Sequence, residues 1–286
     1  MLKIGIVLSG CAGKGAYEIG CMKALFEFFG TDSIRAISSA SMGSVVGHPF
    51  ALGRVDELEL GYRRLDSGEF GRQMLAISTN DAAVKAIADI LGDGKKPLME
   101  HFVSIWNFTK GKVEYMPFHT LSGEHLLQYA RAAISIPFFS RGVVIDDERK
   151  LDGAFLDNIP VYPLVDKDLD IIFCVYFDNE SYVFESEEFD RKIVKLNDFP
   201  NAGRLETLTQ EIGSYDRQCS YGYEYTNRVL DKLFDGKDES EWVDAVAQFD
   251  DHRKYKKRLT VDVVLNGINA AVKNYSGVLS KRKKAK

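Results

Sequence analysis

The chain has 286 residues, of which 45% are hydrophobic and 28% are charged, and its formal net charge is −5. This composition is typical of a globular protein with one large core, and the negative charge gives no reason to expect a nucleic-acid partner, because backbone-driven binding needs clustered Lys and Arg. No apolar stretch approaches the roughly 18 residues that a membrane-spanning helix needs.

The N-terminal residues and the cysteines indicate a reduced, intracellular protein. Residues 1–10 are apolar for only a few positions, and they contain neither a basic n-region of any length nor a small-residue cleavage site. The four cysteines form no CxxC pair; they are Cys11, Cys21, Cys174 and Cys219. The basic residues 281–286 are either a solvated tail or a contact with anionic phospholipid. We expect a cytoplasmic protein with at most a peripheral membrane contact.

The beginning of the chain predicts two units of strand, loop and helix. Residues 2–8 form a β-branched run that ends in the loop SGCAGKG, and residues 16–30 then carry apolar side chains at helical spacing until Gly30. Residues 34–37 form a second short run, which leads through SSASMG into a small and apolar helical stretch. Two such units side by side predict an α/β fold whose functional loops lie at the carboxyl ends of parallel strands.

The middle of the chain predicts helices followed by a hairpin. Residues 55–106 have a mostly helical pattern with a break at 92–96, which is typical of an insertion or a lid. The stretch GEHLLQYARAAISIPFFS predicts an amphipathic helix that stops before Pro137. Residues 143–145 and 150–151 predict the two strands of the hairpin.

The last part of the chain predicts one buried strand and then charged helices. Residues 169–177 are a continuous apolar run, as expected for a strand that is covered on both faces. Residues 204–277 are largely helical and charged, and no chemistry can be assigned to them. Because no repeat or low-complexity linker divides the chain, we expect a single domain.

The segment SASMG is a variant of the G-x-S-x-G elbow in which Ser39 replaces the first glycine. Small residues are needed two positions either side of the central serine, because a strand turns sharply into a helix there. The pattern alone more often marks a turn than a site. Its place between a strand and an apolar helix favours Ser41 as a nucleophile, at a helix N-terminus that stabilises developing negative charge.

The loop SGCAGKGA lies at the other strand-to-helix turn. Its small residues let backbone amides point inward, which suits an oxyanion hole or a phosphate nest. A P-loop would need glycine at position 8 and Ser or Thr at position 15, where the chain has Leu8 and Gly15, and the G-x-G-x-x-G spacing is also absent. We therefore expect an oxyanion loop, the alternative being a loop shaped only by packing.

The segment DGAFLDNIP begins with an Asp-Gly pair, which on its own is usually only a turn. Paired with Ser41, Asp152 becomes a candidate base, provided that it is partly desolvated and hydrogen-bonded to the serine, because an ordinary carboxylate is a weak base. Asp146 and Asp157 are nearby carboxylates that could be confused with it.

The histidines do not fit a Ser-His-Asp triad. His252 is the only histidine after Asp152, and its stretch DDHRKYKK predicts a surface helix. His48 lies on the predicted helix after Ser41 and faces either core or cleft. Three others are isolated in the sequence: His101, His119 and His125. A Ser-Asp dyad fits better, and we expect no metal or cofactor, because no H-E-x-x-H motif or His/Cys pair with ligand spacing occurs.

Four segments in this order resemble the patatin-like phospholipase family: LSGCAGKGAYEIGCMKAL, SSASMGSVVG, ARAAISIPFF and LDGAFLDNIPVYPL. The resemblance implies a patatin-like three-layer α/β sandwich with a mostly parallel central sheet, and lipid acyl hydrolysis by a Ser-Asp dyad. Residues 1–165 would form the catalytic core, with a helical lid within 55–125. Residues 166–286 would complete the same domain with a core strand and a mostly helical C-terminal region.

The resemblance also implies roles for individual residues. Ser41 falls on the nucleophile of the family, and Asp152 falls on the aspartate of its DG[GA] motif. The oxyanion hole falls on Gly10, Cys11, Ala12 and Gly13. The residues that support the loop and the elbow are Lys14, Gly15, Ser39, Gly43 and Gly153. Lys14 would either orient the loop or meet a phosphate headgroup.

Two places depart from the family pattern. Cys11 and Ala12 stand where the loop usually has its second and third glycines, and Ser39 stands where the elbow usually opens with glycine. These residues are small, but they restrict the backbone wherever a positive φ is needed. A backbone amide of the oxyanion hole would then point in the wrong direction. Losing one such donor costs about 2.7–4 kcal/mol in kcat.

The expected function is hydrolysis of fatty-acyl esters of phospholipids or lysophospholipids through an acyl-Ser41 intermediate, with Asp152 as base. The lipid substrate rests on the resemblance alone. Two alternatives stay open, namely a catalytically weak or inactive lipid-binding or regulatory protein, and an acyltransferase. Five aromatic residues are candidates for an acyl groove and equally for the core: Phe50, Phe102, Trp106, Phe138 and Phe139.

Overall fold

The computed structural model describes residues 1–66, 81–92, 95–177, 181–199, 214–249 and 255–257. The strands are β1 (Ile4–Leu8), β2 (Ile34–Ser39), β3 (Glu100–Asn107), β4 (Lys112–Pro117), β5 (Val143–Ile145), β6 (Glu148–Asp152), β7 (Ile171–Val175), β8 (Ser181–Val183), β9 (Ile193–Leu196) and β10 (Tyr255–Lys257). The helices are α1 (Gly15–Phe29), α2 (Met42–Ala51), α3 (Val55–Asp66), α4 (Asp81–Leu91), α5 (Gly123–Ala133), α6 (Glu187–Asp190), α7 (Tyr215–Phe234) and α8 (Trp242–Ala247).

The main sheet has the strand order β5-β6-β3-β2-β1-β7-β9, with β4 paired to β3 beside this path. From β3 to β9 every neighbouring pair is parallel, whereas β4, β5 and β6 join by antiparallel pairing. The apolar side chains of β1 and β7 are buried at every position, as a strand covered on both faces requires. The predicted mixed α/β fold with a mostly parallel sheet is confirmed.

The two faces of the sheet are covered differently. Alternate side chains of a strand point to opposite faces, so Ile6 joins the large core under the long helices, whereas its neighbour Val7 joins a smaller cluster. Residues 159–169 cover that smaller cluster together with Phe184 and Phe189. In the described part of the chain, this layer consists of turns, the 3-10 helix at residues 162–164, β8 and the four-residue helix α6.

The helical pattern expected for residues 55–106 is wrong at its C-terminal end. Helices α3 and α4 form, but Glu100–Asn107 is β3, which pairs with β2 and β6 inside the main sheet. A short apolar run such as HFVSIW has no periodicity that distinguishes a strand from a helix, and pairing with two neighbouring strands decides it. A role of α3 and α4 as a lid stays a prediction.

The part of the chain after residue 165 contains the predicted buried strand β7 and the helices α7 and α8. The stretch DDHRKYKK is not helical to its end, because its last three residues are β10, which pairs in parallel with β8. A strand-forming partner outweighs the helical tendency of such a charged stretch. His252 and the basic residues 281–286 lie outside the described residues. None of the described helices is long and apolar enough to cross a lipid bilayer.

Helices α1 and α7 approach each other so closely that glycine is needed on both. A Cβ atom on Gly20 would lie 2.0 Å from the carbonyl oxygen of Cys219, and one on Gly222 would lie 2.2 Å from the carbonyl oxygen of Tyr17. The methyl group of an alanine does not fit at either position, because the neighbouring atoms belong to the backbone and cannot move aside as a side chain could. The crossing fixes α1, whose first residue ends the glycine-rich loop.

We expect Gly222→Ala to lower the free energy of unfolding by about 1–3 kcal/mol, because overpacking at the helix crossing outweighs the better helix propensity of alanine. Chemical denaturation monitored by circular dichroism measures the change. Ser220→Ala, an exposed position on the same helix, is the control and should leave stability unchanged within about 0.5 kcal/mol. Equal stability of Gly222→Ala and the control would contradict the close crossing.

Candidate active site

Ser41 lies on a sharp turn between β2, which ends at Ser39, and α2, which begins at Met42. Its backbone has φ 50° and ψ −131°, a region that a residue with a side chain rarely adopts. Two contacts hold this turn against the end of β1. The amide of Ala40 donates to the carbonyl oxygen of Leu8 at 3.1 Å, and a Cβ atom on Gly43 would lie 2.7 Å from the carbonyl oxygen of Ser9. The elbow predicted from SASMG is therefore present.

Asp152 is the last residue of β6 and is only 3% exposed. Its amide donates to the carbonyl oxygen of Ser135 at 3.0 Å, which anchors the end of the strand. The next residue, Gly153, passes over β3 so closely that a Cβ atom would lie 2.4 Å from the carbonyl oxygen of Ser104. The Asp-Gly pair is thus more than a turn signal, because glycine allows the chain after Asp152 to pass close to β3.

The structure brings Ser41 and Asp152 together, although 111 positions separate them in the chain. The Ser41 hydroxyl donates to Oδ2 of Asp152 at 2.5 Å, and the other carboxylate oxygen accepts from the amide of Ala154 at 2.9 Å. Burial raises the pKa of Asp152 to about 7, although these two hydrogen bonds act in the opposite direction. The carboxylate is therefore a much stronger base than an exposed aspartate at the same pH.

The two neighbouring carboxylates do not compete for this position. Asp157 is buried, and its Oδ2 accepts from the hydroxyl of Tyr115 at 2.6 Å. Asp146 is exposed in the turn between β5 and β6, with φ 50°. Asp152 is accordingly the carboxylate that faces Ser41.

The glycine-rich loop touches the elbow. A Cβ atom on Gly10 would lie 3.2 Å from Cβ of Ser41 and 2.4 Å from Oδ1 of Asn158, so this position needs glycine. The amide of Gly10 donates to the carbonyl oxygen of Asn158 at 3.1 Å, which occupies one of the donors expected for an oxyanion hole. The amides of residues 11–13, at the turn into α1, are the other candidates.

The two positions that depart from the family pattern do not need glycine in this loop. Cys11 has φ −120°, and Ala12 begins a short 3-10 turn that ends at Lys14, so neither backbone lies in the left-handed region. The Cys11 side chain is fully buried beside Glu18. The expectation that Cys11 and Ala12 restrict the backbone where a positive φ is needed is therefore wrong.

Lys14 and Gly15, which are expected to support the loop, both lie against aromatic side chains from other parts of the chain. Lys14 is 4% exposed, and its Nζ lies over the rings of Phe177 and Phe199, 5.4 and 4.6 Å from their centroids. This burial favours an orienting role over contact with a headgroup. A Cβ atom on Gly15 would lie 2.4 Å from the hydroxyl oxygen of Tyr62, which comes from α3.

Two of the three histidines that look isolated in the sequence, His101 and His119, contact each other behind the elbow, whereas His125 is exposed on α5. Ser39 Oγ lies 2.7 Å from Nε2 of His101, and Nδ1 of His101 lies 3.3 Å from Nδ1 of His48. Nδ1 of His119 lies 3.1 Å from the backbone nitrogen of His101. Burial lowers the pKa of His48 to about 4 and that of His101 well below its usual range, so both rings are neutral at neutral pH.

These histidines lie beside the Ser41–Asp152 pair and do not join it. Among the described residues, no hydrogen bond connects Ser41 or Asp152 to a histidine. Sequence reasoning missed the His48–His101 contact, because the two residues lie on different elements 53 positions apart. The available signal for a nearby polar side chain was Ser39, which replaces the elbow glycine, because a buried hydroxyl group requires a hydrogen-bond partner.

A second feature that the sequence does not reveal is a carboxyl group under the loop. Glu18 on α1 is fully buried, and burial raises its pKa well above the usual range. It lies beside the thiol of Cys11, whose pKa is also raised by burial and by this neighbour. Burial therefore favours the protonated, neutral form of Glu18. The described residues contain no group of three or more His, Cys, Asp or Glu side chains that could hold a metal ion.

The five aromatic candidates separate into core and surface. Phe50 is fully buried against Phe26, whereas Phe138 is 89% exposed, with φ 71°. Trp106 stacks on Phe155 with 5.3 Å between ring centroids, and Phe138 meets the same ring at 5.8 Å. Phe139 is also exposed, and Phe102 is half-buried beside Lys167. An aromatic cluster thus lies three residues beyond Asp152.

Comparison with known proteins identifies the family. Residues 6–165 match the family described as patatin-like phospholipase, and this match covers more than half of the chain. The chain belongs to the patatin-like phospholipase family. The segment matched to this family contains the elbow, the glycine-rich loop and the Asp-Gly pair.

Several relatives within this family are fungal proteins named lysophospholipase nte1. That of Aspergillus fumigatus is 23% identical over 284 residues, covering 80% of this chain and 18% of the relative. That of Aspergillus oryzae is 26% identical over 184 residues, covering 60% of this chain and 12% of the relative. The chain therefore spans less than a fifth of the length of these curated relatives.

Two solved structures are also similar. VipD from Legionella pneumophila has 13% sequence identity and a TM-score of 0.48, with 81% of this chain and 67% of that chain covered. ExoU of Pseudomonas aeruginosa, in a heterodimeric complex with SpcU, has 19% identity and a TM-score of 0.41, with 86% and 57% covered.

We expect the rate at which a fluorophosphonate reacts with Ser41 to rise with pH through about 7, because Asp152 must be ionised to accept the serine proton. Measurement of labelling rates from pH 5 to 9 gives the apparent pKa. Asp152→Asn should react slowly at every pH, and Asp157→Asn, which changes the neighbouring carboxyl, should keep the wild-type midpoint. A midpoint near 4 would contradict the raised pKa.

The same pKa predicts a pH dependence of stability. The folded-state pKa of Asp152 is raised from 3.8 to about 7, so its stabilising contribution is complete below 3.8 and is lost as pH rises toward 7. Relative to Asp152→Asn, the wild type should lose up to about 4 kcal/mol of unfolding free energy between pH 4 and pH 8. Parallel stability curves for the two proteins in urea would contradict this linkage.

Proposed function

We propose that the protein is a serine lipid acyl hydrolase in which Ser41 is the nucleophile and Asp152 is the general base. The observation that carries this proposal is the 2.5 Å hydrogen bond from the Ser41 hydroxyl to the buried carboxylate. It occurs on a strained elbow in a chain of the patatin-like phospholipase family. A nucleophile paired with a base in this way is the usual arrangement for covalent ester hydrolysis.

The first half of the reaction forms an acyl-enzyme. Ser41 Oγ attacks the ester carbonyl carbon while its proton passes to Oδ2 of Asp152. The tetrahedral oxyanion is stabilised by amides of residues 11–13 and by the N-terminus of α2, which follows the nucleophile directly. When the intermediate collapses, the bond to the alcohol breaks and the alcohol leaves with the proton from Asp152.

The second half of the reaction releases the acyl group. Asp152 accepts a proton from a water molecule, whose oxygen attacks the acyl carbonyl carbon. The bond to Ser41 Oγ then breaks, the serine regains the proton, and the fatty acid leaves. One carboxyl group serves both halves, which is efficient when its pKa lies near the working pH.

The intact pair favours an enzyme over a degenerate relative. Gly10, Gly43 and Gly153 each occupy a position where a Cβ atom would clash, and each contact positions Ser41 or Asp152. The backbones of Cys11 and Ala12 lie outside the left-handed region, so neither position requires glycine for its backbone conformation.

The proposed substrates are fatty-acyl esters of phospholipids or lysophospholipids. This class follows from the family and from the relatives named lysophospholipase. The aromatic cluster of Trp106, Phe138 and Phe155 near Asp152 supports it, because exposed aromatic rings favour apolar chains and the membrane interface. Peripheral contact with a lipid surface is part of the proposal.

We expect a fluorophosphonate to label the wild-type protein at Ser41 and to leave Ser41→Ala unlabelled. Labelling of Asp152→Asn should be at least about a hundredfold slower, because the serine loses its base. Ser220→Ala is the matched control for removal of a hydroxyl group and should be labelled like the wild type. Mass spectrometry of the peptides after digestion locates the label. Folded wild-type protein that does not react would instead favour the non-catalytic, lipid-binding alternative.

The same variants define the reaction on lipids. Release of fatty acid from a lysophospholipid should fall at least about a thousandfold in Ser41→Ala. Phospholipids and p-nitrophenyl esters extend the substrate series. Product analysis in the presence of an added alcohol distinguishes hydrolysis from acyl transfer, because a transferase would form the new ester in preference to free fatty acid.

A further inference from the structure

Asn158 lies beside the Ser41–Asp152 pair, although the proposed reaction gives it no role. A Cβ atom on Gly10 would lie 2.4 Å from Oδ1 of Asn158 and 3.2 Å from Cβ of Ser41. It would also lie 2.9 Å from Cβ of Ala154, whose amide donates to Asp152. The side chain of Asn158 and that of the nucleophile therefore border the same position at the glycine-rich loop.

The backbone around Asn158 is fixed from both sides. Its carbonyl oxygen accepts from the amide of Gly10 at 3.1 Å. The residues before and after it, Asp157 and Ile159, are both buried, and Asp157 also accepts a hydrogen bond from Tyr115. A side chain that is presented from such a backbone keeps its place beside the reacting groups when a substrate binds.

The carboxamide group of Asn158 is not engaged by the protein. The residue is exposed, and its side chain makes no hydrogen bond with any residue in the described part of the chain. A carboxamide accepts hydrogen bonds through its oxygen and donates them through its NH2 group. The oxygen, Oδ1, is the carboxamide atom nearest to Gly10. The group that Asn158 presents next to Ser41 is therefore an acceptor.

An acceptor in this place selects a substrate that carries a donor. It does not suit the oxyanion, which is itself an acceptor, and it gains nothing from a second ester group, which has no proton to donate. A lysophospholipid has a free hydroxyl group on a carbon of the glycerol unit next to the carbon that bears the scissile ester. That hydroxyl group is only a few bonds from the carbonyl carbon that Ser41 would attack, so it can reach a side chain beside Ser41.

We propose that Asn158 is a specificity-determining residue whose Oδ1 accepts a hydrogen bond from the free hydroxyl group of a lysophospholipid. This inference rests on the proposed function and selects one of the two lipid classes named there. A phospholipid in which the hydroxyl group is esterified forms no such hydrogen bond. Because Asn158 is exposed, water satisfies Oδ1 when the donor is missing, and the preference is moderate, about tenfold in kcat/KM.

The test compares two substrates that differ only in this group: a lysophosphatidylcholine, and an analogue in which hydrogen replaces the free hydroxyl group. Both are used below the concentration at which micelles form. The wild type should have a kcat/KM about tenfold higher for the substrate with the hydroxyl group. Asn158→Leu, which has a similar shape and no acceptor, should hydrolyse the two alike. Asn158→Asp keeps an acceptor oxygen and should keep the preference.

Gln248→Leu is the matched control, because it removes an exposed carboxamide group at the end of α8 and should keep the wild-type ratio. Each ratio compares two substrates on one protein, so a general loss of activity in a variant cancels. Asn158→Ala, which removes the carboxamide without adding an apolar branch, provides the same comparison if Asn158→Leu does not fold.

Equal kcat/KM of the wild type for the two substrates would overturn the proposal. A preference that persists in Asn158→Leu or Asn158→Ala, or that disappears in Asn158→Asp, would overturn it as well. Fluorophosphonate labelling of wild-type Ser41 does not depend on these ratios. A labelled, active wild type without the preference would therefore contradict the role of Asn158 alone, whereas a wild type that neither reacts nor hydrolyses would contradict both proposals.

Discussion

The hydrogen bond between Ser41 and Asp152 depends on backbone contacts that leave no space for a Cβ atom. Gly43 brings the start of α2 against the end of β1, and Gly153 brings the end of β6 against β3. Because β1, β2 and β3 are neighbours in the parallel part of the sheet, these contacts position both side chains from a rigid framework. The distance between the two residues is thus set by packing rather than by the loops themselves.

The same packing gives Asp152 its chemical character. Burial destabilises the ionised form of Asp152 and raises its pKa to about 7. Ionisation of the proposed base therefore lowers the free energy of unfolding. Burial also favours the neutral form of other polar groups nearby, among them Glu18, His48 and His101. When Asp152 is ionised, its burial strengthens the hydrogen bond that it accepts from Ser41.

Much of the site could be predicted from the chain, but its details could not. The elbow around Ser41 and the Asp-Gly pair each carry a local signal, because small residues are required where strand and helix meet. No local signal shows that the Gly10 amide is already hydrogen-bonded, because its acceptor is the carbonyl oxygen of Asn158, which is distant in the chain. The compatibility of Cys11 with the loop depends on its negative φ, which its residue type does not reveal.

The sequence by itself determined the α/β class, the two strand-loop-helix units and the residues that form the elbow, because these follow from neighbours within a few positions. Only the tertiary structure decided that residues 100–107 form a strand, that His101 reaches Ser39, and that Asp152 has a raised pKa. Each of these depends on strand pairing or burial by residues far apart in the chain. Short apolar runs and single polar residues are ambiguous until such distant partners surround them.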